Sequence, residues 1–159
     1  MESEQKNNHI LHPKHEIHRT LAHSYIFYFT FFLLGVLLDA IFKIKILEAS
    51  VVLPAGFVLL VLGTTIILWA QFTYVNVNEK EITKEHFSKG PYYYVRNPTH
   101  WGLFFLTFGF GFIVNGFFII LSTILSHFLT KFTFIRKYES IMFRHFGALY
   151  EEYKKSVKI

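Results

Sequence analysis

Residues 90–102 read G-P-Y-Y-Y-V-R-N-P-T-H-W-G and set Tyr92, Tyr93, Tyr94, Arg96, Asn97 and His100 against the start of a long apolar run. Polar and ionisable groups at the foot of a membrane helix are costly, and spanning a bilayer does not require them. Such a cluster therefore reads as functional by default. Gly90-Pro91 forces a turn, since Gly permits positive φ and Pro fixes its own. Arg96-Asn97-Pro98 makes a second bend, because a residue before Pro is pushed away from the α region. A helix can then begin at Pro98 or Thr99. Its first N–H groups and their partial positive charge offer a seat for a carboxylate. Farther along, Glu139 is the only acid between Arg96 and Glu151. On pattern alone it reads equally as a site carboxylate and as a helical ion-pair partner of Arg136.

The elements that must position these residues are membrane helices. Of the 159 residues 52% are hydrophobic and 17% charged, and Phe alone occurs 20 times. A soluble domain of this size could not hide that much apolar surface. Uncharged runs cover 20–38, 49–78 and 97–130, against the roughly 20 residues that one span needs. The third run is too long for one ordinary helix, and Asn115-Gly116 near its middle is a turn signal. The expected fold is thus an all-α integral membrane protein of four transmembrane helices near 21–42, 49–76, 99–114 and 117–134. The last two form a short hairpin, and at about 1.5 Å per residue they reach only about 24–27 Å. A polar, His-rich head over 1–20 precedes a single membrane domain over 21–159, whose polar site lies within 76–157.

Basic flanks predict the orientation. Lys6, Lys14 and Arg19 lie in the head, and Lys80, Lys84, Lys89 and Arg96 in the 76–98 loop. Seven Lys or Arg follow from Lys131 onward, whereas the loop between helices one and two has only Lys43 and Lys45. The positive-inside rule puts head, loop and tail in the cytoplasm. The residues 90–102 and the tail then face one compartment, where they can meet. No cleavable signal peptide is expected, and the absence of Cys excludes thiol catalysis and disulfides.

Other polar residues have plainer readings. His9, His12, His15 and His18 recur every three residues and invite a metal. Pro13 is expected to interrupt any helix there, and no H-E-x-x-H spacing follows, which favours a solvated interfacial head. Asp39 reads as a helix-end carboxylate with Lys43 and Lys45 as nearby partners. His127 and Thr130 read as interhelical hydrogen-bonding groups. The mixed-charge stretch 76–89 reads as a solvated loop capping the site. Residues 136–157 carry apolar or aromatic side chains at Tyr138, Ile141, Met142, Phe146, Leu149, Tyr153 and Val157, the 3–4 spacing of a helix. With Arg136, Lys137, Arg144, Lys154 and Lys155 that helix reads as amphipathic and lying on the membrane surface.

Two segments together resemble the isoprenylcysteine carboxyl methyltransferase and phospholipid methyltransferase superfamily of integral membrane enzymes. The first is Gly90-Pro91-Tyr92, Tyr94, Arg96, Asn97, Pro98, His100 and Gly102. The second, across an apolar hairpin, is Arg136, Glu139, Met142, Phe146-Gly147, Tyr150 and Tyr153. The likeness covers 76–157, and Asn78-Glu79-Lys80 looks like the eukaryotic isoprenylcysteine branch. Asn97 stands where the family pattern has His, His100 where it has Tyr, and Tyr138-Glu139 where it has a Glu pair.

The resemblance implies S-adenosylmethionine as methyl donor. It places His86, Phe87, Tyr92, Asn97, Pro98, Thr99, His100 and Glu139 at the cofactor, with Arg136 as a catalytic candidate near the acceptor. By its chemistry Arg96 can answer the donor carboxylate or equally hold a structural or lipid-phosphate partner, and His100 or Glu139 is the candidate base if the acceptor is an amine. Independently of the resemblance, basic residues flanking membrane helices more often set topology, so the net charge of +5 is not read as nucleic-acid binding, and no metal site is expected. The acceptor is expected to be lipophilic, with an isoprenylcysteine-type carboxylate first. The alternatives are a phospholipid amine, or a non-catalytic lipid-binding or scaffold protein that keeps the fold. Tyrosine faces attract a sulfonium, and a carboxylate such as Glu139 can hold the donor ammonium or a ribose hydroxyl. Methyl transfer is an in-line displacement in which alignment does most of the work.

Overall fold

The computed structural model describes the backbone of residues 2–46, 49–75 and 89–157, and the side chains of 19–46, 51–73, 89–144 and 146–157. Every regular element in these residues is helical. Helix α1 spans Glu2–Phe42, α2 Ala49–Val75, α3 Pro98–Val114 and α4 Phe117–Thr130. A 3₁₀ turn at Gly90–Tyr93 precedes α3, and a π-helical turn at Lys131–Ile135 carries α4 into α5, Arg136–Phe146, before α6, Ala148–Ser156. Three stretches are long and apolar enough to cross a membrane, Arg19–Phe42, Val51–Thr73 and Phe117–Arg144, and Pro98–Val114 is a shorter apolar helix. The chain is thus built as a multi-pass membrane protein. Ile26, Phe29, Leu37 and Ile41 on α1 and Phe57, Val58 and Phe72 on α2 all point outward, which suits a protein whose solvent is hydrocarbon.

Glycines set the α2–α3 pair. Gly56 meets Gly109 and Gly63 meets Gly102, so each helix contributes two glycines seven residues apart in antiparallel register. A Cβ on Gly109 would lie 2.7 Å from the Gly56 carbonyl oxygen, and one on Gly63 would lie 2.6 Å from that of Gly102. Lipid tails give apolar helices no hydrophobic reason to associate, so close backbone approach and its dispersion contacts carry the pairing.

The α1–α4 pair is closed at one end by a carboxylate. Asp39 accepts from the backbone N–H groups of Phe118 at 3.0 Å and Ile119 at 2.8 Å. It caps the first turn of α4 from a different helix, and those amides have no partner within their own. Among the described residues Asp39 makes no ion pair with the expected partners Lys43 and Lys45, and its partners are the α4 amides instead. The same end holds the hairpin turn that Asn115-Gly116 predicts. Asn115 is left-handed at φ 56°, Gly116 N–H returns to the Gly111 carbonyl at 2.9 Å, and Asn115 Oδ1 accepts from Ile46 N–H at 3.0 Å.

Three boundaries differ from expectation. Helix α1 begins at Glu2 and runs through Pro13, against the interruption expected in the head, while its membrane-length stretch Arg19–Phe42 agrees with the expected span near 21–42. The apolar run marks where lipid can begin, whereas backbone hydrogen bonding starts earlier. Helix four does not stop near residue 134, because the π turn keeps the chain helical through to Phe146. The expected single tail helix over 136–157 is broken at Gly147, whose φ of 51° and ψ of −125° no L side chain adopts comfortably. The break folds α6 back on α5. Tyr150, Tyr153, Val157 and Met142 bury one another, with Tyr138 and Phe146 packed against them. Part of the apolar stripe read as a membrane-facing surface therefore faces this small core.

Candidate functional site

The 3₁₀ turn and the α3 entry are built as the glycine and prolines require. Gly90 has φ 58° and Pro91 follows it inside the turn. A Cβ at Gly90 would run into the Thr73 hydroxyl on α2, so this glycine both turns the chain and lets it lie against that helix. Asn97 occupies the N-cap of α3 at φ −130° and makes no capping bond through its side chain, while Pro98 takes the first helical position. Proline costs nothing there because its missing N–H would have no partner. The Asn97 carbonyl accepts from His100 N–H at 3.1 Å.

Arg96 and Glu139 join the two polar segments. Arg96 Nη1 donates to Glu139 Oε1 at 2.6 Å, and Lys154 Nζ from α6 reaches Glu139 Oε2 at 2.7 Å. The helical pairing of Glu139 with Arg136 is corrected by this arrangement. Arg136 is exposed, and its guanidinium lies 5.0 Å from the Phe132 ring centroid instead. The Arg96–Glu139 pair is sheltered, with side chains 20% and 15% exposed, whereas Lys154 is 49% exposed. Most of the attraction therefore resides in the first pair, because exposed ion pairs contribute about 0–1 kcal/mol. Arg96 Nε is buried and has no hydrogen-bond partner among the described residues. A buried guanidinium N–H without an acceptor is uncommon.

A second link lies beside the first. Tyr153 Oη donates to the Tyr92 carbonyl at 2.8 Å, so α6 clamps the 3₁₀ turn. Burial pushes the phenols of Tyr150 and Tyr153 above their ordinary range. For Tyr150 the Glu139 carboxylate adds to this, and for Tyr153 Tyr92 does, while Arg96 opposes both. Both remain neutral donors.

A narrow crevice opens next to these links. Thr20, Leu21 and Ser24 of α1 form one side, Phe134, Ile135 and Tyr138 of the π turn and α5 the other, and Asn97 and His100 its base. His100 is 4% exposed, and its ring lies 5.7 Å from that of Tyr25. His127 sits among rings, 5.0 Å from Trp101 and 4.7 Å from Phe104. The π turn forms one lip of the crevice, and such turns are frequent at functional sites.

Of the residues expected at the site, the structure gathers Tyr92, Arg96, Asn97, Pro98, Thr99, His100 and Glu139 at one end of the helices. Arg136 lies on the adjoining surface, outside the Arg96–Glu139–Lys154 cluster. His86 and Phe87, with the rest of 76–88, lie outside the described residues, as do the side chains of His9, His12, His15 and His18. Lys154 and Tyr25 were not anticipated. Lys154 is fifteen residues from Glu139, beyond helical pairing distance, and only the Gly147 break returns it. Gly in the middle of a helical pattern was the available signal. Comparison with protein-family models, with curated proteins and with solved structures finds no match to this chain.

Proposed function

We propose that this protein is an integral membrane methyltransferase that uses S-adenosylmethionine and a lipophilic acceptor. An isoprenylcysteine-type carboxylate is the acceptor class we favour, ahead of a phospholipid amine. The observation that carries the reading is the Arg96–Glu139 pair: the two segments that resemble the methyltransferase superfamily share one sheltered ion pair. We further propose four crossings, with α3 as the shortest, and head, site and tail on the cytoplasmic side, following the basic flanks.

The residues present fit the donor's charges. The buried Arg96 Nε lacks an acceptor, as an arginine reserved for a carboxylate would. Glu139 supplies the complementary anion for an ammonium or a ribose hydroxyl. Asn97 and His100 supply neutral polar groups beside the crevice, and Tyr92 lies in the turn that Tyr153 holds. When bound, S-adenosylmethionine supplies an electrophilic methyl group on a sulfonium. The work of the protein is then to hold and align two reactants and to exclude water. A carboxylate acceptor is already ionised and needs no base. An amine acceptor must lose a proton, and His100 or Glu139 would take it. Helix α6 would close over the donor through its contacts with Tyr92 and Glu139.

One observation favours a non-catalytic lipid-binding or scaffold role as the second reading. Glu139 already has Arg96 and Lys154 on its two oxygens, so the cluster is also satisfied as a structural lock. Isothermal titration of the purified full chain in detergent with S-adenosylmethionine separates the two. Binding supports the enzyme, and its absence supports the scaffold. Transfer of labelled methyl to membrane lipids or prenylated peptides then assigns the acceptor, since base-labile label marks an ester and base-stable label an amine.

A further inference from the structure

Helix α5 carries its cations on one side. At 3.6 residues per turn, Phe143, Arg136, Ser140, Arg144 and Lys137 follow one another round an arc of about 120°. All five are exposed, whereas Tyr138, Glu139, Ile141, Met142 and Phe146 on the other side are buried or half-buried. The outward arc thus holds three cations and no acid, because Glu139, the acid of this helix, lies inward. The apolar stripe that a surface helix would lay into lipid is taken up by the core between α5 and α6. What α5 offers a membrane is therefore charge.

These cations differ from those of α6. Lys154 meets Glu139 at 2.7 Å and Lys155 meets Glu151 at 3.1 Å. Arg136, Lys137 and Arg144 make no ion pair among the described residues. Arg136 lies over the Phe132 ring instead, and Phe132 and Phe143 are themselves 55% and 53% exposed. The level of the face is set by length. The apolar stretch Phe117–Arg144 has 28 residues, or about 42 Å of helix, against a hydrocarbon core of roughly 30 Å. A span that starts at Phe117 leaves its last two turns, with Lys137 and Arg144, at the headgroups. Helical side chains lean toward the N-terminus, which here is the bilayer side. The long Arg and Lys stems therefore reach back toward the phosphates.

We propose that the outward face of α5, Arg136, Lys137 and Arg144 with Phe132 and Phe143 at its edges, is a docking surface for the headgroups of acidic phospholipids. Three cations without an acid among them complement a layer of phosphates, and exposed Phe side chains suit the boundary between headgroups and acyl chains. Each Lys or Arg near an anionic membrane surface strengthens attachment by about fivefold. A zwitterionic headgroup brings its own cation and gains less. The contact holds the outer face of α5 against the bilayer while its inner face carries Glu139. The inference is independent of methyl transfer and holds for an enzyme or a scaffold.

The chain has no Cys, so Ser140→Cys places a single nitroxide at the centre of the face. Its collision rate with a neutral, water-soluble nickel complex is measured by electron paramagnetic resonance on the full chain in nanodiscs. Discs of phosphatidylcholine alone are compared with discs of phosphatidylcholine and phosphatidylglycerol in equal parts. The acidic lipid is expected to lower the collision rate several-fold, and high salt to restore it by screening. Adding Lys137→Gln and Arg144→Gln is expected to abolish the response. Adding Lys43→Gln and Lys45→Gln, which removes the same charge from the far end of α1, is expected to leave it intact. Equal collision rates in the two kinds of disc would overturn the proposal. So would a response that survives loss of Lys137 and Arg144, or one lost equally with Lys43 and Lys45. If the charge variants do not fold, the lipid and salt response of the labelled protein decides alone.

Discussion

Arg96 Nη1 donates to Glu139 Oε1 across 2.6 Å although 43 residues separate them in the chain. One lies just before the apolar helix Pro98–Val114 and the other within the last long stretch, Phe117–Arg144. The pair ties the two ends of the hairpin that those helices make, and Lys154 completes the tie from α6.

Glu139→Ala is expected to weaken S-adenosylmethionine binding by about ten- to a hundredfold, the worth of a charge-assisted hydrogen bond at about 1.5–3 kcal/mol. Glu151→Ala serves as the control, because its pairing with Lys155 at 3.1 Å is half exposed, and it should change affinity less than about twofold. Calorimetry on both proteins makes the comparison. Equal, small effects would reduce Glu139 to a surface ion-pair partner.

Gly63→Ala and Gly109→Ala are each expected to destabilise the α2–α3 pair by about 1–3 kcal/mol. The added methyl meets backbone atoms of the facing helix at 2.5–2.7 Å, and backbone cannot rotate away. Thermal unfolding in detergent should show both losses. Gly147→Ala is expected to cost a similar amount, about 1–3 kcal/mol, for a different reason. Nothing lies within 4 Å of its added Cβ, so the penalty there is entirely one of backbone angle.

Asp39→Ala should lower stability by about 0.5–2 kcal/mol, as loss of an N-cap does. Asp39→Asn should recover much of this, since one amide oxygen still accepts from Phe118 or Ile119. The order Asp, Asn, Ala in melting temperature is the expected result. If Asn proved as harmful as Ala, the charge and not the hydrogen bond would be what matters at that end.

The tail core should fail in alkali. The Tyr150 and Tyr153 phenols are raised by burial above the ordinary value of 10.0. The unfolded chain therefore gives up these protons first. The stability they contribute is complete below about pH 10 and declines as pH climbs from there toward their folded values. Tyrosine absorbance during alkaline titration should show delayed ionisation, with α6 detaching as it occurs. Tyr153→Phe should remove part of that delay and the bond to the Tyr92 carbonyl.

Membrane class, the hairpin turn and the meeting of the two polar segments were legible in the sequence, each for a physical reason. Uncharged runs measure themselves against bilayer thickness, and Asn-Gly accepts left-handed backbone. The hairpin turn sends the chain back, so the segments on either side of it, with Arg96 and Glu139, meet at one end. What escaped was set by contacts between helices. Asp39 looked like a headgroup carboxylate because nothing in its own neighbourhood hints that the amides of Phe118 and Ile119 lie opposite. The reach of Lys154 depended on a single Gly147 inside an otherwise helical pattern. The helical head escaped because Pro13 reads as a helix breaker, whereas the span Arg19–Phe42 that hydrophobicity reports agrees with the structure.

The Asp39 cap also bears on how the protein is made. Asp39 and Ile119 are 80 residues apart, so the carboxylate leaves the ribosome long before the amides that will take it exist. Until α4 is in place the carboxylate lacks these partners and the first turn of α4 lacks its cap. The contact therefore rewards the pairing of the first and the last long helix and neither helix alone.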